Sequence, residues 1–160
     1  MSKDYVSGPV DAASIPARGP LMVFPEPLAS LMSGRERRAL GDVFGLTRFG
    51  VNLTRLAPGS ISAARHFHSL QDEFLYVLEG TPSLVTNGGE VLLGPGMCVG
   101  FKAGTGDAHH LVNRSGVDVL YLEIGDRTSD DSVTYPDDDI ALVAGAEGRW
   151  SITHKDGSSY

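Results

Sequence analysis

Glycine and proline divide the middle of this sequence into short segments, and this spacing limits the folds that the chain can adopt. The 160 residues include 20 glycines and 9 prolines, and the segments between them are rich in Val, Leu, Phe, Tyr and Thr. Short β-favouring segments bounded by turn residues are typical of antiparallel sheets. The sequence therefore predicts an all-β sandwich or barrel.

Several segments have the composition expected of strands. The predicted strands are 45–57, 60–68, 73–79, 81–86, 89–93, 97–102, 108–113 and 117–125. The sequence TNGGE, residues 86–90, predicts a hairpin because Asn and Gly tolerate the positive φ of its turn. No internal repeat is present in the sequence, so we expect one barrel.

The segments on either side of these strands have a different composition. Residues 27–41, PLASLMSGRERRALG, carry apolar residues at the spacing of a short amphipathic helix. The segment after the last strand is rich in aspartate, including Asp130 and Asp131, which we expect to be solvated. We therefore predict three regions. They are an N-terminal arm with a short helical piece (1–43), a barrel (44–125) and an acidic C-terminal extension (126–160). We expect the two flanking regions either to wrap the barrel as arms or to be partly disordered.

Net charge and cysteine content limit the classes of partner. A formal charge of −7 and an isoelectric point near 5.1 disfavour binding to nucleic acid or to anionic lipid. The one cysteine cannot form a disulfide within the chain, which favours a reducing compartment. No apolar segment approaches the roughly 18 residues of a membrane helix, and no secretory signal is evident. We expect a cytoplasmic protein that binds a small molecule, with no membrane or nucleic-acid partner.

Two of the five histidines flank a phenylalanine in RHFHSLQDE. Alternate residues of a strand point to the same side, so His66 and His68 direct both imidazoles to one point while Phe67 points away. The four residues SLQD suffice for a turn, after which Glu73 can present its carboxylate at the same point. The spacing predicts a site with two nitrogen ligands and one oxygen ligand.

A second pair of histidines, at positions 109 and 110, offers a third nitrogen ligand. Only one of two neighbouring strand residues can face the interior. If His109 faces inward, Asn113 shares its side and is placed to hydrogen-bond a ligand or substrate. We therefore choose His109 as the ligand and expect His110 on the outer face.

Three imidazoles and one carboxylate form a donor set for one divalent metal ion. Two coordination positions would stay open, which suits Fe, Mn, Ni or Co, and suits Zn less specifically. An isolated pair of alternate histidines is more often a surface or hydrogen-bonded core feature. Here the spacing to Glu73, the flanking glycines and the third histidine favour a metal site.

At these residues the sequence resembles the cupin superfamily. The first cupin motif, G-x(5 or 6)-H-x-H-x(3,4)-E-x(6)-G, is matched by Gly59, His66, His68, Glu73 and Gly80. The second, approximately G-x(5 to 7)-P-x-G-x(2)-H-x(3)-N, is matched by Gly96, Gly106, His109 and Asn113. Gly104 stands where that motif has proline, a change that affects the local turn and leaves the ligands intact. The resemblance covers about residues 44–125 and implies a double-stranded β-helix, the small jelly-roll barrel, with one divalent metal inside it.

The resemblance also implies a choice of functions. Cupin enzymes act on small oxygen-rich molecules such as sugar derivatives, carboxylic acids or diketones. Metal-assisted isomerisation, as in sugar-phosphate isomerases, and dioxygenation both fit the ligand set, and decarboxylation is a third option. The alternative is a non-catalytic cupin that senses or binds a small molecule through the same metal.

Two further expectations concern the substrate and the assembly. Arg48 and Arg55 lie in the β region and are candidates, with Asn113, for contacting a substrate. The segments EFLYVLEG and VDVLYLEIG are apolar on both faces, whereas a lone barrel should alternate more cleanly. We therefore predict a homodimer formed through barrel faces and the flanking arms.

Overall fold

Strands account for most of the regular structure in the computed structural model, which describes residues 5–19, 24–144 and 150–160. The helical elements are a 3-10 turn (Ala12–Ser14), α1 (Leu28–Met32) and α2 (Leu40–Val43). The strands are β1 (Arg35–Ala39), β2 (Phe49–Leu56), β3 (Phe67–His68), β4 (Glu73–Glu79), β5 (Ser83–Thr86), β6 (Gly89–Leu92), β7 (Cys98–Phe101), β8 (His110–Val112), β9 (Val119–Asp126), β10 (Val133–Thr134), β11 (Ala141–Ala144) and β12 (Trp150–Thr153). The predicted all-β class is confirmed.

Two sheets enclose the main core. The larger has the strand order β1-β2-β9-β4-β7 and the smaller β6-β5-β8, with antiparallel neighbours throughout. Eight buried side chains from the sheets and the adjoining loop form one cluster, which contains Leu56, Leu75, Val77, Leu84, Leu93, Leu111, Val119 and Tyr121. Burying a Leu or Val side chain contributes about 1.5–3 kcal/mol, so this cluster accounts for much of the barrel's stability.

The alternation of β4 and β9 carries acidic residues to the inner face of the larger sheet. In β4, Leu75 and Val77 are buried, and Glu73 lies two residues before Leu75 on the same side. In β9, Tyr121 is buried and Glu123 follows it on the same side. Both carboxylates therefore adjoin the core rather than the outer surface.

The predicted helical piece in the N-terminal arm is helical only in part. Helix α1 buries Leu28 and Met32, but RERRA forms strand β1, which pairs with β2 in the larger sheet. Gly34 separates the two elements, and a Cβ there would lie 2.1 Å from the Ser60 hydroxyl oxygen, so the chain passes too close for another residue. Backbone pairing with β2 outweighs the helix-forming tendency of RERRA.

The C-terminal extension packs against the barrel. Strand β10 pairs with β3, and Tyr135 and Ile140 are buried against α1 and the segment before β3. Of the two alternatives for this flank, these residues follow the arm that wraps the barrel, because its apolar side chains complete a second core. The division at 43/44 and 125/126 stays a prediction. Residues 1–4 and 20–23 of the predicted arm, and 145–149 of the extension, lie outside the described residues.

Two turns depend on glycine. Asn87 and Gly88 form the two-residue loop between β5 and β6, as the hairpin prediction requires, and Gly89 follows with a φ of 117°. Gly80, which ends the first motif, has a φ of 76°, and a Cβ there would lie 2.6 Å from the carbonyl oxygen of Asp118. Only glycine fits that approach between β4 and the segment before β9.

Candidate metal centre

Backbone pairing brings the two histidine segments together. His66 and His109 form an isolated antiparallel bridge, in which each amide donates to the other's carbonyl, at 3.2 Å and 2.8 Å. Directly opposed residues share a face, and His68 lies on that face because it is two residues after His66. Glu73 opens β4 after the turn, so four potential ligands converge.

The distances between these groups fit a single metal ion. The Nε2 atoms of His66, His68 and His109 lie 3.8, 3.6 and 2.9 Å from Glu73 Oε2. Ligand atoms that each lie about 2.1 Å from one ion are about 3 to 4 Å apart from one another. The separations from Glu73 Oε2 are of that size, and the ligand atoms of His66, His68 and Glu73 all lie within 4.8 Å of one another, so these three residues can share one ion. His109 lies 2.9 Å from Glu73 Oε2 but outside that group of three.

Hydrogen bonds at Nδ1 orient two of the imidazoles. Nδ1 of His66 donates to the carbonyl of Ala64 at 2.9 Å, and Nδ1 of His68 donates to Asp131 Oδ2 at 2.5 Å. Carbonyl and carboxylate oxygens only accept, so both protons are on Nδ1 and the Nε2 lone pairs are free for a metal.

The third imidazole is held by stacking. The His109 ring lies parallel to Phe101, with centroids 3.4 Å apart. His109 Nδ1 is buried without a hydrogen-bond partner among the described residues, and Glu73 Oε2 makes no well-aligned hydrogen bond there although His109 Nε2 lies 2.9 Å away. A buried polar atom without a partner is costly, and at Glu73 a bound cation would satisfy that need.

The electrostatics favour the ligand forms of His66 and Glu73. Burial, opposed only in part by Glu73, lowers the pKa of His66 to about 4, so its imidazole is neutral at neutral pH. Burial raises the pKa of the Glu73 carboxyl, but the three histidines outweigh it and the net shift is downward. Neutral imidazoles and an ionised carboxylate are the forms that bind a metal.

The C-terminal extension contributes two side chains that sequence reasoning missed. Asp131 was expected to be solvated, but its carboxylate is buried and also accepts hydrogen bonds from the Leu70 amide at 2.8 Å and the Ser69 hydroxyl at 3.1 Å. The Tyr135 ring lies 5.8 Å from that of His66, and burial raises its pKa to about 12. No local pattern indicates either contact, because both depend on the pairing of β10 with β3.

Two larger cavities and a small one adjoin the cluster, and the small one, about 10 Å³, is lined by His68, Glu73 and His109 among others. The inner cavity, about 120 Å³, is lined by His66, Glu73 and His109, and also by Arg35, Ser62, Tyr121 and Glu123. The outer cleft, about 370 Å³, is lined by Glu73 and Glu123 together with Arg18, Arg37, Asn52, Gln71, Arg127 and several smaller or acidic residues. Because Glu73 and Glu123 line both spaces, a small molecule in either space lies beside the candidate metal ligands.

Glu123 is a second carboxylate at the site, and Arg35 holds it. One terminal nitrogen of Arg35 donates to both carboxylate oxygens, at 2.9 Å and 3.2 Å. Burial lowers the pKa of Arg35, but the charges and hydrogen bonds of its partners, chiefly Glu123, raise it by more than burial lowers it. The net shift is upward, so the guanidinium stays charged. The alternation Val119, Tyr121, Glu123 was the signal in the sequence, because it places an acidic residue on the buried face of β9.

The residues predicted to contact a substrate lie elsewhere. Asn113 is fully buried, and its amide nitrogen donates to the carbonyls of Leu56 and Val117, at 2.8 Å each. Arg55 is paired with Asp118 on the outer side of β2. Arg48 is exposed, and like Asn113 and Arg55 it lines neither cavity. The structure therefore shows a turn-fixing role for Asn113, and a substrate contact by any of the three residues stays a prediction.

Comparison with solved structures identifies the family. A sugar phosphate isomerase of the cupin superfamily from Silicibacter pomeroyi is 41% identical, with a TM-score of 0.87 and 96% of each chain covered. The chain belongs to the cupin superfamily. Within this cupin, the cupin domain profile matches residues 52–125.

Further relatives of this cupin are more distant. A protein provisionally named as a sugar phosphate isomerase, from Acidithiobacillus ferrooxidans, is 31% identical with a TM-score of 0.69, covering 76% of this chain and 77% of its own. The polyketide cyclase RemF from Streptomyces resistomycificus is 24% identical with a TM-score of 0.61, covering 76% and 80%, and shares the fold. No curated protein matches the chain.

Proposed function

We propose that this cupin is an enzyme that uses one divalent metal to isomerise a small phosphorylated sugar. One observation carries the proposal: Glu123 supplies a second carboxylate beside the Glu73 and histidine cluster, in the same 120 Å³ cavity. Isomerisation through an enediolate needs a group that polarises the carbonyl and a separate group that moves a proton. The site contains candidates for both.

The proposed metal ligands are His66, His68, Glu73 and His109. A donor set of three imidazoles and one carboxylate suits Fe, Mn, Ni, Co or Zn. When bound, such an ion polarises neighbouring carbonyl and hydroxyl oxygens of the substrate as a Lewis acid. Glu73 is then committed as a ligand and is poorly suited to act as a base.

Glu123 takes the role of general base in this proposal. Its carboxylate removes the proton from the hydroxyl-bearing carbon next to the substrate carbonyl and returns it to the former carbonyl carbon, while the proton of that hydroxyl group passes to the former carbonyl oxygen. Arg35 fixes both oxygens, and Asn52 Nδ2 lies 3.4 Å from one of them, so the carboxylate keeps one position through the two transfers. Leu75 and Tyr121 line the inner cavity and limit the entry of water.

The comparisons support the substrate class. The 41% identical cupin, which spans nearly the whole chain, is named as a sugar phosphate isomerase, and the 31% identical one carries a similar provisional name. Similarity of this extent over both flanking segments, as well as the barrel, favours a related substrate.

Turnover measurements test the proposal. The purified protein, loaded in turn with each candidate metal, is incubated with a set of aldose and ketose phosphates, and the isomeric products are measured by NMR. We expect isomerisation by the wild type and by Arg114→Gln, a remote surface variant, and at least 100-fold slower turnover by Glu123→Gln at unchanged metal content. Tight binding without turnover would favour the sensor alternative, and oxygen consumption would favour dioxygenation.

Location and assembly complete the proposal. No helix in the described residues is long and apolar enough to cross a membrane. We propose that the protein acts in the cytoplasm, where phosphorylated sugars are found, and that it forms a homodimer through the outer face of its larger sheet.

A further inference from the structure

We propose that Arg18 and Arg37 form a binding site for the phosphate group of the substrate, at the end of the outer cleft. The inference rests on the proposed function. That proposal concerns the reacting carbon of the substrate, and this one adds a binding site for the substrate's phosphate group. Both arginines line the 370 Å³ cleft that Glu73 and Glu123 also line. Neither arginine was selected from the sequence.

The backbone places these two arginines side by side. Arg18 forms an antiparallel bridge with Arg37 of β1, and each amide donates to the other's carbonyl at 2.8 Å. Directly opposed residues of an antiparallel pair project on the same side, with Cβ atoms roughly 5 Å apart. The N-terminal segment therefore adds a second guanidinium to the one that β1 provides.

Neighbouring carboxylates neutralise only part of the positive charge of Arg18 and Arg37. Arg37 lies 4.0 Å from Glu123, a carboxylate that Arg35 already engages. The charge of Asp42 also acts on Arg37, but that carboxylate is paired with Arg127. Arg18 is exposed and has no ion pair within the described part of the chain. Like charges placed directly opposite one another are destabilising, so the arrangement favours an anion between them.

The electrostatic state of Arg37 agrees with this geometry. Its side chain is 19% exposed, and burial lowers its pKa, with a further lowering from the nearby charge of Arg35. A bound anion would offset both effects. Two guanidinium groups can offer parallel N–H donors to the oxygens of one phosphate, which is the geometry that arginine favours.

Other residues of the cleft suit the hydroxyl groups of a short polyol. Asn52 and Gln71 line the cleft with neutral amides, which suit sugar hydroxyl groups. Arg127, by contrast, is held by Asp42 and by the carbonyl of Leu46, so it forms part of the wall. A phosphate at Arg18 and Arg37 would therefore leave the carbon chain of the ligand directed toward Glu123 and the metal ligands.

Binding of inorganic phosphate tests the site without turnover. The full chain is titrated by calorimetry, as purified and after chelator treatment, so that phosphate bound to metal is distinguished. We expect saturable binding by the wild type, and binding about tenfold or more weaker in Arg18→Gln and in Arg37→Gln. Arg114→Gln removes an exposed arginine paired with Glu90 and should bind like the wild type. Because Arg18 is exposed, its variant tests the site even if Arg37→Gln fails to fold.

Three results would overturn the site: no saturable phosphate binding by the wild type, unchanged binding in the double variant, or acetate binding as tight as phosphate. The two proposals fail separately. Phosphate binding that depends on the arginines, in a protein that isomerises no sugar phosphate, supports the site and contradicts the proposed function. Isomerase activity with an unchanged KM in the double variant would support the proposed function and contradict the phosphate site.

Discussion

His68 and His110 differ in position although both belong to histidine-containing motifs. The Nε2 atom of His68 lies 3.6 Å from Glu73 Oε2, whereas His110 is on β8 with Nδ1 against the carbonyl of Ala63. Proximity to Glu73 is what makes a histidine a candidate ligand here. The two residues therefore form a matched pair for testing the metal centre.

We expect His68→Ala to lower metal affinity by about 100-fold or more, beyond the 10–100-fold typical of groups that only orient a ligand. The reason is the loss of one of four donors. Metal content after dialysis, measured by elemental analysis, checks this, with circular dichroism as the test of folding. His110→Ala should retain its metal. Full metal content in His68→Ala, or an empty site in His110→Ala, would contradict the assignment.

At this scale the sequence predicts the cluster well. The period of two residues fixes His66 and His68 on one side, and the four-residue turn fixes Glu73, so local geometry suffices. The choice of His109 as a further ligand rests on alternation along one strand and stays a prediction. Asn113 shows the limit of that reasoning. The hydrogen-bond donors of an inward side chain can all be engaged by backbone carbonyls, and only the structure of the surrounding turn shows this.

The C-terminal extension acts at the scale of elements because it braces the turn between β3 and β4. Asp131 accepts from His68, Ser69 and the amides of Leu70 and Gln71. One buried carboxylate therefore holds both a candidate ligand and the turn that leads to Glu73. Burial raises the pKa of Asp131, but His68 and the other donors lower it more, so the carboxylate is ionised.

We expect Asp131→Asn to weaken metal binding by about 10- to 100-fold while the protein stays folded. An amide in place of the carboxylate no longer enforces the proton position on His68 Nδ1. Competition with a chelator of known affinity measures the change. Asp130→Asn, an exposed neighbour, is the control and should behave like the wild type. Equal affinity in the two variants would show that Asp131 acts on stability alone.

The strand β1 shows why part of the site could not be predicted. RERRA contains good helix formers and follows a helical segment, so local preference indicates helix. Its pairing with β2 is a tertiary contact, and that contact delivers Arg35 and Arg37 to the cavities. Glu123 was accessible from alternation, whereas the position of Arg18 opposite Arg37 leaves no local signal.

On the scale of the whole molecule, an apolar surface covers the outer side of the larger sheet. Phe74, Tyr76 and Leu78 of β4 are between 36% and 39% exposed. Phe74 and Tyr76 lie opposite Ile124 and Leu122 of β9, so the two strands form one patch. Contiguous apolar surface of this kind usually marks an interface, and symmetric pairing is its commonest form.

We expect light scattering at micromolar concentration to give about twice the 17.0 kDa chain mass. Phe74→Glu should shift the protein toward the monomer because it places a charge in the centre of the patch. Leu92→Glu is the matched control, since Leu92 is more exposed, at 61%, and lies on the other sheet. A wild-type mass near 17 kDa that persists across concentrations would defeat the dimer.

The bridge between Arg18 and Arg37 implies that the reacting groups and the groups that select the substrate come from different parts of the chain. The barrel holds the candidate metal ligands, while a segment from before the first helix supplies half of the proposed phosphate contact. Substitution or exchange of that leading segment would alter which molecules are accepted without touching the ligands of the ion. In evolution or in engineering, such a chain can acquire new substrates at its amino end while its reaction stays the same.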